Sequence, residues 1–244
     1  MRNIKLTVQY DGTPYAGWQM QKNAKTVQAV LKEKIEMLLK EEINLIGSGR
    51  TDTGVHALGQ VANFQTKSDM ELWKFIHSLN AVLPRTISVI DYGEMPKDFH
   101  ARFDAKRRSY IYLFSLVKSP FFDKFSWLNP AMKNIDLERL NDISLVLKGE
   151  HDFTSFAKTK SETKNKVCKI YSIHWRRSRN LVIFYIEANR FLHGMVRTII
   201  GTLLDAYSKD EPEVFIEKVL QAKDRKAASN SVKAKGLFLF KVKY

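Results

Sequence analysis

The chain opens on an alternation. Ile4, Leu6, Val8 and Tyr10 are apolar with more polar residues between them, so residues 3–10 predict a strand with one buried face. Residues 11–17, DGTPYAG, set Pro14 between two glycines and predict a turn. From Thr26, which suits a helix N-cap, Val27, Val30, Leu31, Ile35 and Leu38 recur at helical spacing. Strands are expected at 43–48 and 59–66, with a loop between them. A second helix over 69–83 carries Leu72, Phe75, Ile76, Leu79 and Leu83 on one face, and Pro84 stops it. Strands near 86–93 and 109–116 complete a first half.

The second half repeats this grammar. Leu137, Leu140, Ile143 and Leu147 predict a helix near 136–148. Strands near 167–176 and 180–188 form a hairpin around Ser178-Arg179-Asn180, and helices follow at 191–206 and 212–223. The end, GLFLFKVKY, reads as a strand. Each half thus mixes helices with strands, which predicts an α+β fold of the split-βαβ kind. The domains expected are 1–116 and 132–244. Residues 117–131, rich in aromatics and holding two prolines, form the crossing between them.

Composition narrows the function. A length of 244 residues with 44% hydrophobic content suits one large domain or two halves of roughly 100 to 120 residues. The longest apolar runs fall short of the roughly 18 residues of a membrane span. The alternating start is unlike the apolar core of a signal peptide, so a soluble cytoplasmic protein is expected. The single cysteine, Cys168, excludes an internal disulfide or a multi-cysteine zinc site. The six histidines are scattered and ask for no metal. Forty Lys and Arg against 26 Asp and Glu leave +14, a charge that attracts nucleic acid. Some of that charge sits in solvated runs such as Lys158-Thr159-Lys160 and Lys233-Ala234-Lys235.

The densest stretch is 47–64, GSGRTDTGVHALGQVANF. Glycines bracket Arg50 and Asp52, so the backbone can bend tightly and approach a ligand. Asp52 as a simple turn former is the plain alternative, but a turn needs neither Arg50 before it nor His56 after it. A P-loop, a dinucleotide fingerprint, a zinc-deaminase signature and a serine-hydrolase elbow are all missing.

These residues resemble the catalytic signature GRTD-x-GVHA of the TruA family of tRNA pseudouridine synthases. Further segments match that family in order: YDGTPYAGWQ at 10–19, TVQ at 26–28, LNAVLP at 79–84 and FHARFDAKRRSYIY at 99–112. GEHDFTSFA at 149–157, ANRFLHGMVRTIIGTLL at 188–204 and AKGLFLF at 234–240 complete the series. The resemblance spans nearly the whole chain.

It implies an isomerase that converts uridine to pseudouridine without a cofactor, acting on positions 38 to 40 of the tRNA anticodon stem-loop. Asp52 matches the catalytic aspartate, the nucleophile. Tyr110 matches the tyrosine that stacks on the target uracil, Arg197 the arginine that pairs with the carboxylate, and Arg50 the arginine associated with extruding the nucleotide. His193 and Arg102 are expected to contact RNA or position its cleft. The implied fold is two RRM-like halves whose sheets join around a basic cleft, in a homodimer. Read on its own, Tyr110 fits a core tyrosine alternating with Tyr112 better than a stacking platform, and Arg197 fits a snorkelling surface charge as well as a site cation.

Asp11, Tyr15 and Trp18 either touch RNA or brace the catalytic loop. Asp152 and Phe153 fix a local loop, and Lys106, Arg107 and Arg108 suit phosphate contacts. At 168, where the family often has arginine, this chain has Cys168, with Lys169 as a possible substitute. A non-catalytic RNA-binding protein would explain the charge but not the carboxylate, and the RNP1 pattern of RRM binders is missing. A synthase for another RNA is the second alternative.

Overall fold

The computed structural model describes residues 1–159 and 165–244; Lys160, in one of the lysine runs, lies outside the described residues. The first elements along the chain are β1 (Arg2–Tyr10), α1 (Val27–Leu39), β2 (Ile46–Gly47), β3 (His56–Thr66), α2 (Leu72–Val82) and β4 (Ile87–Met95). Then come β5 (Arg107–Ser115), β6 (Trp127–Leu128), α3 (Leu137–Leu145), β7 (Gly149–Asp152), β8 (Val167–Ser178) and β9 (Leu181–Ala188). The chain ends with α4 (Met195–Ala206), α5 (Pro212–Ala222) and β10 (Leu237–Lys243). The class is α+β, as the periodicities predict.

Two compact units result. One is Met1–Lys106 with Phe238–Tyr244, the other Arg107–Leu237. The division therefore falls at Lys106–Arg107, and the expected crossing segment 117–131 lies inside the second unit. The reason is pairing. All of β5 from Arg108 to Ser115 runs antiparallel to β9, which commits it to the second unit. The last strand returns to the first, where Phe238 and Leu239 pair in parallel with His56 and Ala57.

In the first unit β1 lies between β3 and β4, antiparallel to both, and β2 pairs antiparallel with β3. Ile4, Leu6, Val8 and Tyr10 are all at most 4% exposed, so the alternation of β1 does point one face inward. Thr26 caps α1, its hydroxyl accepting the Ala29 N–H at 3.3 Å, a contact typically worth about 1 kcal/mol.

Two local expectations shift. The strand expected at 43–48 shrinks to Ile46–Gly47. Its neighbours find side-chain partners instead: the Glu36 carboxylate accepts Ile43 N–H, and Gln28 donates to Leu45 O. β3 starts at His56, three residues early, where the distant β10 pairs with His56 and Ala57 and β1 also reaches Ala57.

In the second unit the order is β5-β9-β8-β7, with β6 parallel to β5. α3 packs on β8 through Asn141, which bonds both backbone groups of Trp175, and through Ser144, whose Oγ accepts the Trp175 indole N–H at 2.9 Å. Tyr112, Phe114, Trp175 and Phe184 form the aromatic core. The expected hairpin is present, with Ser178 paired to Leu181 across Arg179-Asn180. The helix expected from 191 begins only at Met195. Gly194 holds φ +76° as its N-cap, a left-handed conformation that a helix cannot run through. No helix among the described residues is long and apolar enough to cross a membrane.

Candidate active site

Asp52 sits half-buried on the loop before β3, and Arg50 is exposed two residues earlier. The loop is pinned by its own neighbours. The Thr51 hydroxyl meets Tyr10 OH at 2.8 Å, and Thr51 O accepts Trp18 N–H at 3.2 Å. Asp52 O accepts Val55 N–H at 3.1 Å, and Gly54 turns the chain at φ +73°. On the N-terminal side, Ser48 donates to Gln60 Oε1, and Gln60 returns a bond to Gly49 O at 2.9 Å.

The 10–19 segment packs directly against this loop, and two of its glycines make that possible. A Cβ on Gly12 would stand 1.9 Å from Val55 O; one on Gly17 would stand 2.4 Å from Thr51 O and 3.1 Å from the Asp52 carbonyl carbon. His56 is buried beneath. Its Nδ1 accepts Gly12 N–H at 3.0 Å, lies 3.3 Å from Asp11 Oδ1, and its ring stacks on Phe238. Tyr15 and Trp18 are each 2% exposed. Of the two roles open to Asp11, Tyr15 and Trp18, bracing the loop is the one that these contacts support.

Arg102 also belongs to the first unit. It is exposed, with its guanidinium 5.6 Å from the Phe103 ring. Its turn is tight: His100 Nδ1 accepts from both Arg102 and Phe103 N–H, and Asp104 accepts His100 N–H. The buried pair Asn3 and Asn63 holds this turn to the sheet. Asn63 Oδ1 accepts Ala101 N–H at 2.9 Å, and Asn3 donates to Phe99 O at 2.8 Å.

Tyr110, His193 and Arg197 lie in the second unit. Tyr110 is 8% exposed, on the same face of β5 as Tyr112 and Phe114, with its ring edge-on to Phe191 at 5.1 Å. Arg197, half-buried in the first turn of α4, grips Val232 from both sides. Its Nε donates to Val232 O at 2.7 Å, and its own carbonyl accepts Val232 N–H. Its charge also reaches the Tyr112 hydroxyl, which burial nevertheless pushes well above the ordinary tyrosine range. Tyr112 OH donates to Lys233 O at 2.8 Å. His193 is exposed, with Lys158 Nζ 3.0 Å from its Nε2.

Some of the other residues singled out in the sequence are engaged within the protein. Arg107 pairs with Glu187, which is 4% exposed, and lies over the Tyr171 ring at 4.3 Å; Arg108 donates to Asn189 O. These are structural bonds. Cys168 is fully buried, which pushes its thiol up to about 11, and the cation that acts on it is Arg190. Lys169 alternates to the exposed face of β8, opposite the buried Cys168. Sequence reasoning missed Phe191, Glu187, Arg190 and the Val232–Lys233 backbone. Arg190 and Phe191 lie within the ANRFLHGMVRTIIGTLL segment, the one signal that could have found them. Among the described residues, no group of three or more His, Cys, Asp or Glu is placed to hold a metal ion.

A family model described as tRNA pseudouridine synthase matches residues 6–104 and 144–244. Relatives run the full length. A tRNA pseudouridine synthase A of Chlorobium luteolum is 41% identical, over all of this chain and 96% of that protein. One of Caldicellulosiruptor saccharolyticus is 41% identical over the whole of both chains, and one of Brachyspira hyodysenteriae 40% over 98% of this chain and 96% of its own. The chain therefore belongs to the tRNA pseudouridine synthase family, as its motifs suggested. Among solved structures, a Cbf5-Nop10-Gar1 complex is similar at 14% identity and a TM-score of 0.39, over 83% of this chain and 45% of that one.

Proposed function

We propose that this chain converts uridine to pseudouridine in tRNA, at positions 38 to 40 of the anticodon stem-loop, with Asp52 as the nucleophile. The observation that carries this reading is the clamp on the Asp52 loop, where two glycines admit the loop backbone closer than any Cβ would allow. Such fixing suits a carboxylate that must meet one atom of a flipped nucleotide, because misplacement by about 1 Å can cost about 100-fold in rate.

The reaction breaks the N1–C1′ bond, turns the base and joins C5 to C1′, with the proton on C5 lost and one gained at N1. Nothing is oxidised or reduced, and no group donor is needed. Asp52 supplies an ionised carboxylate to the sugar or base electrophile. Tyr110 offers the ring on which the extruded uracil stacks, which offsets part of the few kcal/mol spent in flipping it. Arg197 is the arginine that pairs with this carboxylate. Arg50, His193 and Arg102 contact the RNA.

The wider reading has the protein acting in the cytoplasm as a homodimer of chains with two RRM-like halves and a basic cleft. In the first unit, the run β1-α1-β2-β3-α2-β4 with β1 between β3 and β4 supports the RRM-like description.

The test is tritium release from unmodified tRNA carrying 5-³H-uridine, without added cofactor, for wild type and Asp52→Asn. Wild type should release tritium, and the variant should not while binding tRNA within about tenfold of wild type. Near-normal release by Asp52→Asn would rule out the nucleophile assignment. Binding without release by either protein would favour a non-catalytic RNA-binding protein or a different RNA substrate.

A further inference from the structure

The loop after β5 displays three phenylalanines that the fold leaves partly or wholly in solvent. Phe121 is 84% exposed, and Phe122 and Phe125 are each 36% exposed. The loop is nonetheless tightly built. Ser119 O accepts the N–H groups of Phe122 and Asp123, Ser119 Oγ accepts Phe121 N–H, and Phe122 O accepts Phe125 N–H and the Ser126 hydroxyl at 2.6 Å. A ring held outward by a bonded loop contributes nothing to the core, so folding does not explain it.

Lysines flank these rings along the chain. Lys118 and Lys124 belong to the loop, and Lys124 Nζ lies 5.4 Å from the Phe125 ring. The one acid in 117–126, Asp123, is engaged by Lys235, whose Nζ reaches its carbonyl at 2.7 Å and its carboxylate at 3.0 Å. Three lysines against one aspartate leave the site positive.

Lys235 also ties the loop to the helix of Arg197. Arg197 holds Val232 O and Tyr112 holds Lys233 O, only three and two residues before Lys235. Three residues of backbone span at most about 11 Å. The aromatic loop and the helix of Arg197 are therefore joined through one short stretch of chain, and both belong to the second unit.

We propose that residues 118–125 form a second RNA-binding element, in which Phe121 stacks on an unpaired nucleobase of the tRNA while Lys118 and Lys124 meet neighbouring phosphates. Bases offer a π-face to any aromatic ring, and the adjacent backbone suits the lysines. A second copy of this chain fits less well, because the same positive loop and a net charge of +14 would face their own kind. This rests on the reading that tRNA is the substrate.

The test compares full-length wild type, Phe121→Ala and Phe121→Trp with an unmodified tRNA transcript. It reads tRNA affinity by filter binding, KM and kcat by tritium release, thermal unfolding, and molar mass by light scattering. Phe121→Ala should raise Kd and KM about tenfold, the size of one lost base stack. Its kcat, melting temperature and mass should stay unchanged, and Phe121→Trp should bind within about twofold of wild type. Unchanged affinity in Phe121→Ala, a Trp variant as weak as the Ala variant, or a changed molar mass would overturn the proposal. The last would make the loop a self-association surface. Wild type that binds tRNA without releasing tritium, with Phe121→Ala still about tenfold weaker, would fault the synthase reading and leave the loop's role standing. Wild type that does not bind tRNA would sink both.

Discussion

At residue 17 the backbone takes φ +92°, and the space where a side chain would begin is filled by Thr51 O. Alanine there meets two penalties: a left-handed conformation and a contact 2.4 Å from backbone, which no rotamer relieves. The relief available is movement of the loop that carries Asp52. Gly17→Ala should therefore lower tritium release by about 100-fold. Its tRNA affinity should stay within a few-fold, because Arg50 and the lysines are untouched. Assays of release and filter binding on one preparation separate the two effects. Full activity in this variant would show that the loop does not depend on its clamp. Gly12, with Val55 O only 1.9 Å from a built Cβ, makes the same argument from the other side.

Among the elements, those set by their own residues were legible. β1, α1 and the β8–β9 hairpin appear where the alternation, the Thr26 cap and the Ser178-Arg179-Asn180 turn put them. What the sequence did not disclose comes from partners far along the chain. The early start of β3 goes with its pairing to β10 and β1, the shortening of β2 with Gln28 and Glu36, and the unit boundary with β5 joining β9. The site divides the same way. A glycine-bracketed Arg50 and Asp52 can be read as a loop, but the approach of Gly12 and Gly17 to it exists only in space. Asp152, at the end of β7, fixes a local loop, as its sequence setting suggests. Its Oδ1 accepts the Thr154 hydroxyl and N–H, and its Oδ2 meets Lys223 at 3.2 Å. The Thr154 hydroxyl bond is the largest cause that holds this carboxyl below its ordinary value, with Thr154 N–H and Lys223 adding to it. Between the folded and unfolded pKa values the unfolded chain binds more protons, so this stabilisation is present above about pH 4 and fades as pH falls through the lower, folded value. Urea unfolding of wild type and Asp152→Asn should show wild type more stable at pH 6 and the gap narrowing as pH falls below about 4. A gap independent of pH would mean that the carboxylate charge is not what matters there.

For the molecule as a whole, +14 spread over 244 residues makes ionic strength a direct probe of RNA contact. Each phosphate neutralised by Lys or Arg releases counterions, so log Kd should rise linearly with log salt, at a slope set by the number of such contacts. Arg50 is exposed and stands beside Asp52, where it can meet the backbone of a nucleotide presented to the carboxylate. If it does, Arg50→Ala should weaken binding and rate together and lower the salt slope by about one. The lines for wild type and variant, measured by filter binding between about 50 and 300 mM salt, should then converge as salt rises. Parallel lines would instead place the side chain against a base or within the protein, where screening has little hold. Because Arg107 and Arg108 are already engaged with Glu187 and Asn189 O, alanine at either should reduce stability before it changes the slope. The same titration thus separates cations that read RNA from those that hold the fold.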